Sequence, residues 1–176
     1  PNHIQEIQKL SGETEAEIHK IMIMGGSRIA IRISSYAPDN MAIKLIECDK
    51  QKSYKLAEYM NDIIIIQGDG RNVDLLKEEG IRDMDAFIAL TDSSETNILA
   101  CLTAKELGVK KTIAEVENIQ FISTAERLNI GNIINKKLLA ASRIFQLLLD
   151  EDSSNAKCLA LSDAEVVELV AKENSK

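Results

Sequence analysis

Tryptophan is absent from this chain of 176 residues, and aromatic residues make up only 3 % of it. Any core must therefore be filled by Ile, Leu, Val, Met and Ala, the residues that dominate parallel sheets buried on both faces. The three cysteines, Cys48, Cys101 and Cys158, are far apart and odd in number. With no CxxC and no Cys–His cluster, neither zinc nor a disulfide framework is indicated, and idle reduced thiols are expected. The two histidines, His3 and His19, precede the first predicted strand and have no catalytic partner in view. Basic residues are in the minority, 21 Lys and Arg against 28 Asp and Glu, for a net charge of −7. That balance argues against a nucleic-acid surface, which needs clustered cations, and it supplies no polybasic membrane patch. No apolar run approaches the ~20 residues of a membrane span, and no signal peptide is recognisable. The first residue is Pro and not Met, so a segment of a longer protein is expected.

What the chain does have is 45 % hydrophobic residues, enough for a real core, and a length of 176 residues, room for one full α/β domain and a fragment beside it. Residues 20–50 carry most of the information. The apolar run Ile21-Met22-Ile23-Met24 stops at Gly25-Gly26. A helical stretch with Ile29, Ile33 and Tyr36 follows, then a break at Pro38-Asp39-Asn40 and a second apolar run from Met41 to Ile46, ending in Glu47. This is the pattern of a βαβ unit with a nucleotide-binding turn after its first strand. The fingerprint G-x-G-x-x-G/A is met by Gly25, Ser27 and Ala30. Gly25 allows the sharp turn, and Ala30 is small enough for the helix to pack on the strand. Ser27 replaces the second glycine, restricting the approach of a pyrophosphate while offering a hydroxyl donor. Free N–H groups at the helix start face any bound anion. An acidic residue about 20 positions on takes the ribose hydroxyls, and Glu47 stands there. The competing reading keeps the turn for packing alone.

The rest of the chain alternates in the same way. A helix is predicted over 51–60 and a β-branched strand over 63–66, which runs into Gln67-Gly68-Asp69-Gly70. A short helix spans 72–80, closed by Gly80. A strand over 85–90 enters Thr91-Asp92-Ser93-Ser94, where Ser93 or Ser94 caps a helix whose buried face reads Ile98, Leu99, Leu102 and Leu107. A strand over 111–116, a helix over 118–128, a strand over 130–134 and an apolar helix over 138–149 complete the series. Such alternation specifies a doubly wound, parallel, Rossmann-like sheet of about six strands. The final helix is apolar on more than one face, so it packs on its own sheet, crosses to a second subunit, or does both. Glu115 and Glu117 alternate on one face of their strand; they read first as a solvated strand end and second, through Glu117, as ligands for a cation. Residues 1–19, with Ile4, Ile7 and Leu10 in one short helix, form a leader; 20–150 form the main domain. Residues 150–155 are a polar break, and a half-exposed strand over 164–170 opens a further lobe within 151–176.

Over residues 20–149 the chain resembles the N-terminal lobe of the RCK domain, also called KTN or TrkA-N. The carrying stretches are IMIMGGSRIA, KLIECD, IIIIQGDGRNVDLL, ALTDSSETNILACLTAKELGVKKTIAEVEN and IGNIINKKLLAASRIFQLL. It looks most like the second of two tandem units, with the leader resembling the end of a first unit and the tail the start of a small C-terminal lobe. The resemblance implies a cytoplasmic regulator that binds NAD(H), or ATP and ADP, assembles as a dimer or larger ring, and partners a membrane potassium-translocating subunit. Carried onto this sequence, Gly25, Gly26, Ser27, Arg28 and Ala30 fall at the phosphate turn, with Arg28 able to reach a phosphate, and Glu47 falls at the ribose. Asp69 and Gly70 fall on the adenine side, Thr91 and Asp92 near the phosphates or the second half of a dinucleotide, and Glu117 at a subunit interface where a cation can bridge phosphates. Ser27 departs from the family pattern, and so does Lys136, which stands where Pro is common before the crossover helix and suggests a local change in the helix entry, with a phosphate-facing charge as a further option. The expectation is a nucleotide-gated regulatory module without catalysis. The alternatives are a decayed site serving assembly only and an NAD-dependent oxidoreductase; the latter lacks a substrate domain and an acid–base residue.

Overall fold

The structure, a computed structural model, describes residues 17–148, 155–158 and 165–168. The leader helix, Leu149 and most of the polar break lie outside the described residues. Six parallel strands, β1 Lys20–Met24, β2 Ala42–Glu47, β3 Ile64–Gln67, β4 Ala86–Ala89, β5 Lys111–Glu115 and β6 Asn132–Ile134, form one sheet. Their order is β3-β2-β1-β4-β5-β6, the doubly wound arrangement with its crevice between β1 and β4. Six helices connect or follow them: α1 Arg28–Tyr36, α2 Lys50–Tyr59, α3 Val73–Glu78, α4 Ser94–Glu106, α5 Ile119–Arg127 and α6 Lys136–Leu148. The Rossmann-like reading is therefore correct. Two further strands, β7 Asn155–Cys158 and β8 Glu165–Glu168, pair antiparallel; β8 matches the strand read over 164–170, whereas β7 falls at the edge of the polar break and was not foreseen.

The strands bury both faces because alternate residues point to opposite helix layers. Ile21 and Ile23, with Ile43, Leu45, Ile88 and Leu90, pack under Ala30 of α1 and Leu56 of α2. Met22 and Met24, with Phe87, Ala89, Ala114 and Val116, pack under Leu76 of α3, Ile98 and Cys101 of α4, and Ile122 of α5. With no large aromatic pairs available, one Phe, Phe87, fully buried, fills the centre of the second layer. The buried face of α4 differs from the periodic reading: Leu99 is exposed, while Asn97, Ile98, Ala100, Cys101 and Ala104 face the sheet. An apolar count favours Leu over Asn as the inward residue, yet Asn97 is the one whose polar groups find partners at the strand ends.

α6 begins at Lys136, two residues before the predicted start, because Asn135 supplies its cap by accepting from the Leu138 N–H at 3.0 Å. Leu138 joins the core, but Leu139, Ile144, Phe145 and Leu147 stay exposed. Within the described residues, packing on its own sheet covers only part of this helix.

Candidate functional site

The β1–α1 turn is built by close contact. Gly25 has φ +96°, and a Cβ there would lie 2.9 Å from the Leu90 carbonyl oxygen and 3.1 Å from the Thr91 nitrogen. Only glycine meets both demands. Gly26 is packed for another reason: a Cβ would meet Leu56 Cδ1 at 2.4 Å and Glu47 Oε2 at 2.9 Å. Its N–H donates to that Glu47 oxygen at 2.9 Å. Ser27 is in ordinary extended geometry (φ −72°, ψ 166°) and is the N-cap of α1, its hydroxyl oxygen accepting from the Ala30 N–H at 3.3 Å. The hydroxyl proton remains free to donate toward an anion, so capping and phosphate contact are compatible. Ala30 is fully buried beneath the turn, and Arg28 is exposed at the first position of α1.

Glu47 ends β2 and is 4 % exposed. Its Oε2 accepts from Gly26 and pairs with the Lys52 ammonium at 2.8 Å. Its Oε1 accepts from the Asp49 N–H at 2.9 Å and from the Cys48 thiol at 3.5 Å. Burial alone would push its pKa up, but the hydrogen bonds from Lys52, Asp49 and Gly26 together outweigh burial and hold the carboxyl below its ordinary range. Thus the residue expected to receive a ribose is also the bracket that ties β2, the glycine turn and α2 together.

Above these residues, at the C-terminal edge of the sheet, lies an open cleft of about 330 Å³. Of the residues proposed from sequence, Gly25, Ser27, Glu47, Asp69, Gly70, Thr91 and Asp92 line it, and Gly26, Arg28 and Ala30 do not. Gly70 lets the β3 loop close on β1, since a Cβ would meet Met24 Cγ at 2.4 Å. Asp69 is clasped by Arg71, with contacts of 2.7, 3.0 and 3.1 Å. Arg71 holds the Asp69 carboxyl below its usual range and is itself pushed up by the carboxylate. A larger hollow of about 460 Å³ between α5, β6 and α6 has Gly131 in its lining but lacks this convergence of charged groups.

The cleft's other wall depends on Asn97, a residue the sequence reading passed over. Its Oδ1 accepts from the Thr91 N–H at 3.0 Å and the Thr91 hydroxyl at 2.7 Å. Its Nδ2 donates to the Thr91 carbonyl at 2.9 Å and the Glu115 carbonyl at 2.8 Å. Completely buried, it fixes the β4 loop against β5. Its signal was a polar residue in phase with Cys101 and Ala104 on the helix's inner face. Ser93 is the N-cap of α4, while Ser94 turns to β5 and accepts from Glu117 and Asn118 N–H groups at 3.0 and 3.2 Å.

At the far side, Glu115 and Glu117 do share a face: Lys136 pairs with Glu115 Oε1 and lies 3.1 Å from Glu117 Oε1. The solvated strand end expected for this pair is wrong for Glu115, which is 2 % exposed and carries Lys136, the first residue of α6, on its Oε1. Among the described residues its Oε2 has no hydrogen-bond partner. Lys136 is spent on these carboxylates and is not an added charge toward the cleft. The Glu115 hydrogen bond raises the Lys136 pKa. Among the described residues no group of three or more His, Cys, Asp or Glu stands together to hold a metal. Cys101 is buried, which pushes its thiol up to about 12, and no described helix is long and apolar enough to cross a membrane.

An all-parallel sheet of order 3-2-1-4-5-6 with a glycine turn and an acidic β2 end defines a Rossmann-like nucleotide-binding class. Within that class, the TrkA-N domain profile matches residues 21–136, and the chain belongs to the TrkA-N family. It is 26 % identical over 178 residues to Trk system potassium uptake protein trkA homolog 1 of Methanosarcina mazei, covering 100 % of this chain and 44 % of that protein. It is 31 % identical over 170 residues to Trk system potassium uptake protein TrkA of Vibrio alginolyticus, covering 97 % of this chain and 37 % of that protein. The chain thus spans well under half the length of these relatives. Among solved structures it is similar to the GsuK RCK domain, with TM-score 0.65, 15 % identity, and coverage of 76 % of this chain and 29 % of that one. It is also similar to the GsuK channel bound to NAD, with TM-score 0.58, 17 % identity, and coverage of 83 % and 26 %. For GsuK bound to ADP the values are 0.58, 16 %, 81 % and 36 %.

Proposed function

We propose that this chain is a non-catalytic regulatory module of a potassium uptake system that binds an adenine nucleotide, NAD(H) or ATP/ADP, in the cleft at the strand C-termini. The observation that carries this is the open cleft between the Gly25 turn and Glu47 in a TrkA-N chain. In this reading Gly25 and Ser27 approach the phosphates and Glu47 faces the ribose. Asp69 and Gly70 border the adenine, and Thr91 and Asp92 border the phosphates or the second half of a dinucleotide. Arg28, exposed at the helix start, swings to a phosphate. The exposed Leu139, Ile144, Phe145 and Leu147 of α6 serve a homodimer or higher assembly. Nucleotide favours one arrangement of that assembly through differential affinity and so biases a membrane potassium-translocating partner from the cytoplasmic side. A cation shared with phosphates at the interface would have to compete with Lys136 for Glu117.

A second reading, assembly without nucleotide, draws support from the Gly26 N–H and the Glu47 carboxylate, both already engaged within the chain. Thermal shift with NAD, NADH, ATP, ADP and AMP separates the two. Binding at 100 times Kd stabilises by about 2.7 kcal/mol, so a rise in Tm with at least one nucleotide is expected. No rise at millimolar ligand, in a chain that is dimeric by light scattering, selects the assembly reading. A turnover assay with NADH and candidate carbonyl substrates is expected to show no hydride transfer.

A further inference from the structure

Glu47 and Lys52 line the cleft together, joined by their ion pair. A carboxylate offers about four lone-pair positions, and all are taken here: Gly26 N–H and the Lys52 ammonium on Oε2, Asp49 N–H and the Cys48 thiol on Oε1. The two backbone donors are fixed by the strand end and the glycine turn. Lys52 differs. It sits in the first turn of α2, its side chain is 49 % exposed, and it lines the cleft. It is the strong donor that can rotate away. In dinucleotide sites a bare acid at this position selects a free ribose diol, whereas a nearby cation accommodates a ribose 2′-phosphate. Here the acid carries the cation. Arg71, whose side chain is 68 % exposed, lines the same cleft beside the β2 end and is held by Asp69.

We propose that Lys52 sets the ribose specificity of the cleft: by neutralising Glu47 and presenting an ammonium beside it, Lys52 lets the site accept an adenosine ribose bearing a 2′-phosphate as well as an unmodified one. This rests on the nucleotide-site reading. Removing Lys52 opens one position on Glu47 Oε2 and leaves the carboxylate without its cation, with only the Gly26 and Asp49 N–H groups and the Cys48 thiol on it, so it accepts the diol and repels the phosphate. Both changes move the preference in one direction. Lys50, two residues earlier in α2 and outside the cleft lining, lies over the Tyr54 ring and serves as the neighbouring control.

The test is calorimetric titration of the wild-type chain, Lys52→Met, Lys52→Arg and Lys50→Met with ADP and with adenosine 2′,5′-bisphosphate. Circular dichroism confirms that each is folded. The ratio of the two dissociation constants is expected to move toward ADP by about tenfold or more in Lys52→Met, a shift of one decade in relative affinity. Lys52→Arg and Lys50→Met are expected to keep the wild-type ratio. A ratio in Lys52→Met within about threefold of wild type overturns the role of Lys52 while leaving the nucleotide site standing. Binding of neither compound to wild type or any variant overturns the nucleotide site itself, and this inference with it.

Discussion

Glu47 and Glu115 are two buried carboxylates at the ends of parallel strands, 4 % and 2 % exposed, and each meets a lysine from a nearby helix. They are not equivalent. Glu47 has backbone N–H groups from Gly26 and Asp49 in addition to Lys52. Among the described residues Glu115 depends on Lys136 alone, and its second oxygen has no partner. A buried charge is tolerated when several donors share its stabilisation and becomes fragile when one side chain supplies it all. The first arrangement suits a site from which a lysine can be displaced. The second suits a fastener, since Lys136 is the first residue of α6 and fixes that helix to β5.

The largest expected effect follows from that contrast. Lys136→Met leaves Glu115 buried without its cation and should cost about 2–3 kcal/mol in urea unfolding, below the range for fully buried pairs because Lys136 is partly in solvent. Pairing it with Glu115→Leu should recover at least half of the loss, since replacing both members by apolar groups is often neutral. A loss under about 0.5 kcal/mol for Lys136→Met would erase the distinction between the two carboxylates. Next, Glu47→Gln removes the charge and forces an amide N–H toward existing donors, so a loss of about 1–2 kcal/mol is expected in the same assay. If it exceeds the loss in Lys136→Met, the order of the two sites is reversed. Lys52→Met should cost less than about 1 kcal/mol, because the backbone donors to Glu47 remain and Lys52 is half-exposed.

The smallest effects are in pH dependence, and they carry opposite signs. Glu47 has a depressed pKa in the fold, so its contribution is present above the ordinary carboxyl value and is lost as pH falls through the folded value. Lys136 has a raised pKa, so its contribution is complete below the ordinary lysine value and is lost as pH rises through the higher folded value. Urea midpoints against pH should therefore lose an acid-side increment in Glu47→Gln and an alkaline-side increment in Lys136→Met. An alkaline profile unchanged by Lys136→Met would show that Lys136 is not the fastener described.

Much of this was legible along the chain, for local reasons. Ile21–Met24 next to Gly25 announced a strand and a sharp turn, and Gly25 does hold the left-handed conformation that excludes a side chain. A serine cap at Ser93 or Ser94 was readable because capping is decided within one turn of helix, and the fold uses Ser93. Asn97 was not, because its partners Thr91 and Glu115 meet only when α4 lies across two strands. The phosphate-facing option for Lys136 was not met: a lysine near a phosphate site suggests a phosphate contact, while its place at the start of α6 hands it two carboxylates instead.

The alternation of elements, the parallel sheet and the position of the glycine turn were determined by the sequence itself, since hydrophobic period and backbone freedom act over a few residues. Family membership was likewise written in contiguous stretches of residues. Which carboxylate is bracketed by backbone donors and which hangs on one lysine was decided only in three dimensions, because the partners of a buried charge come from whichever elements the sheet brings together.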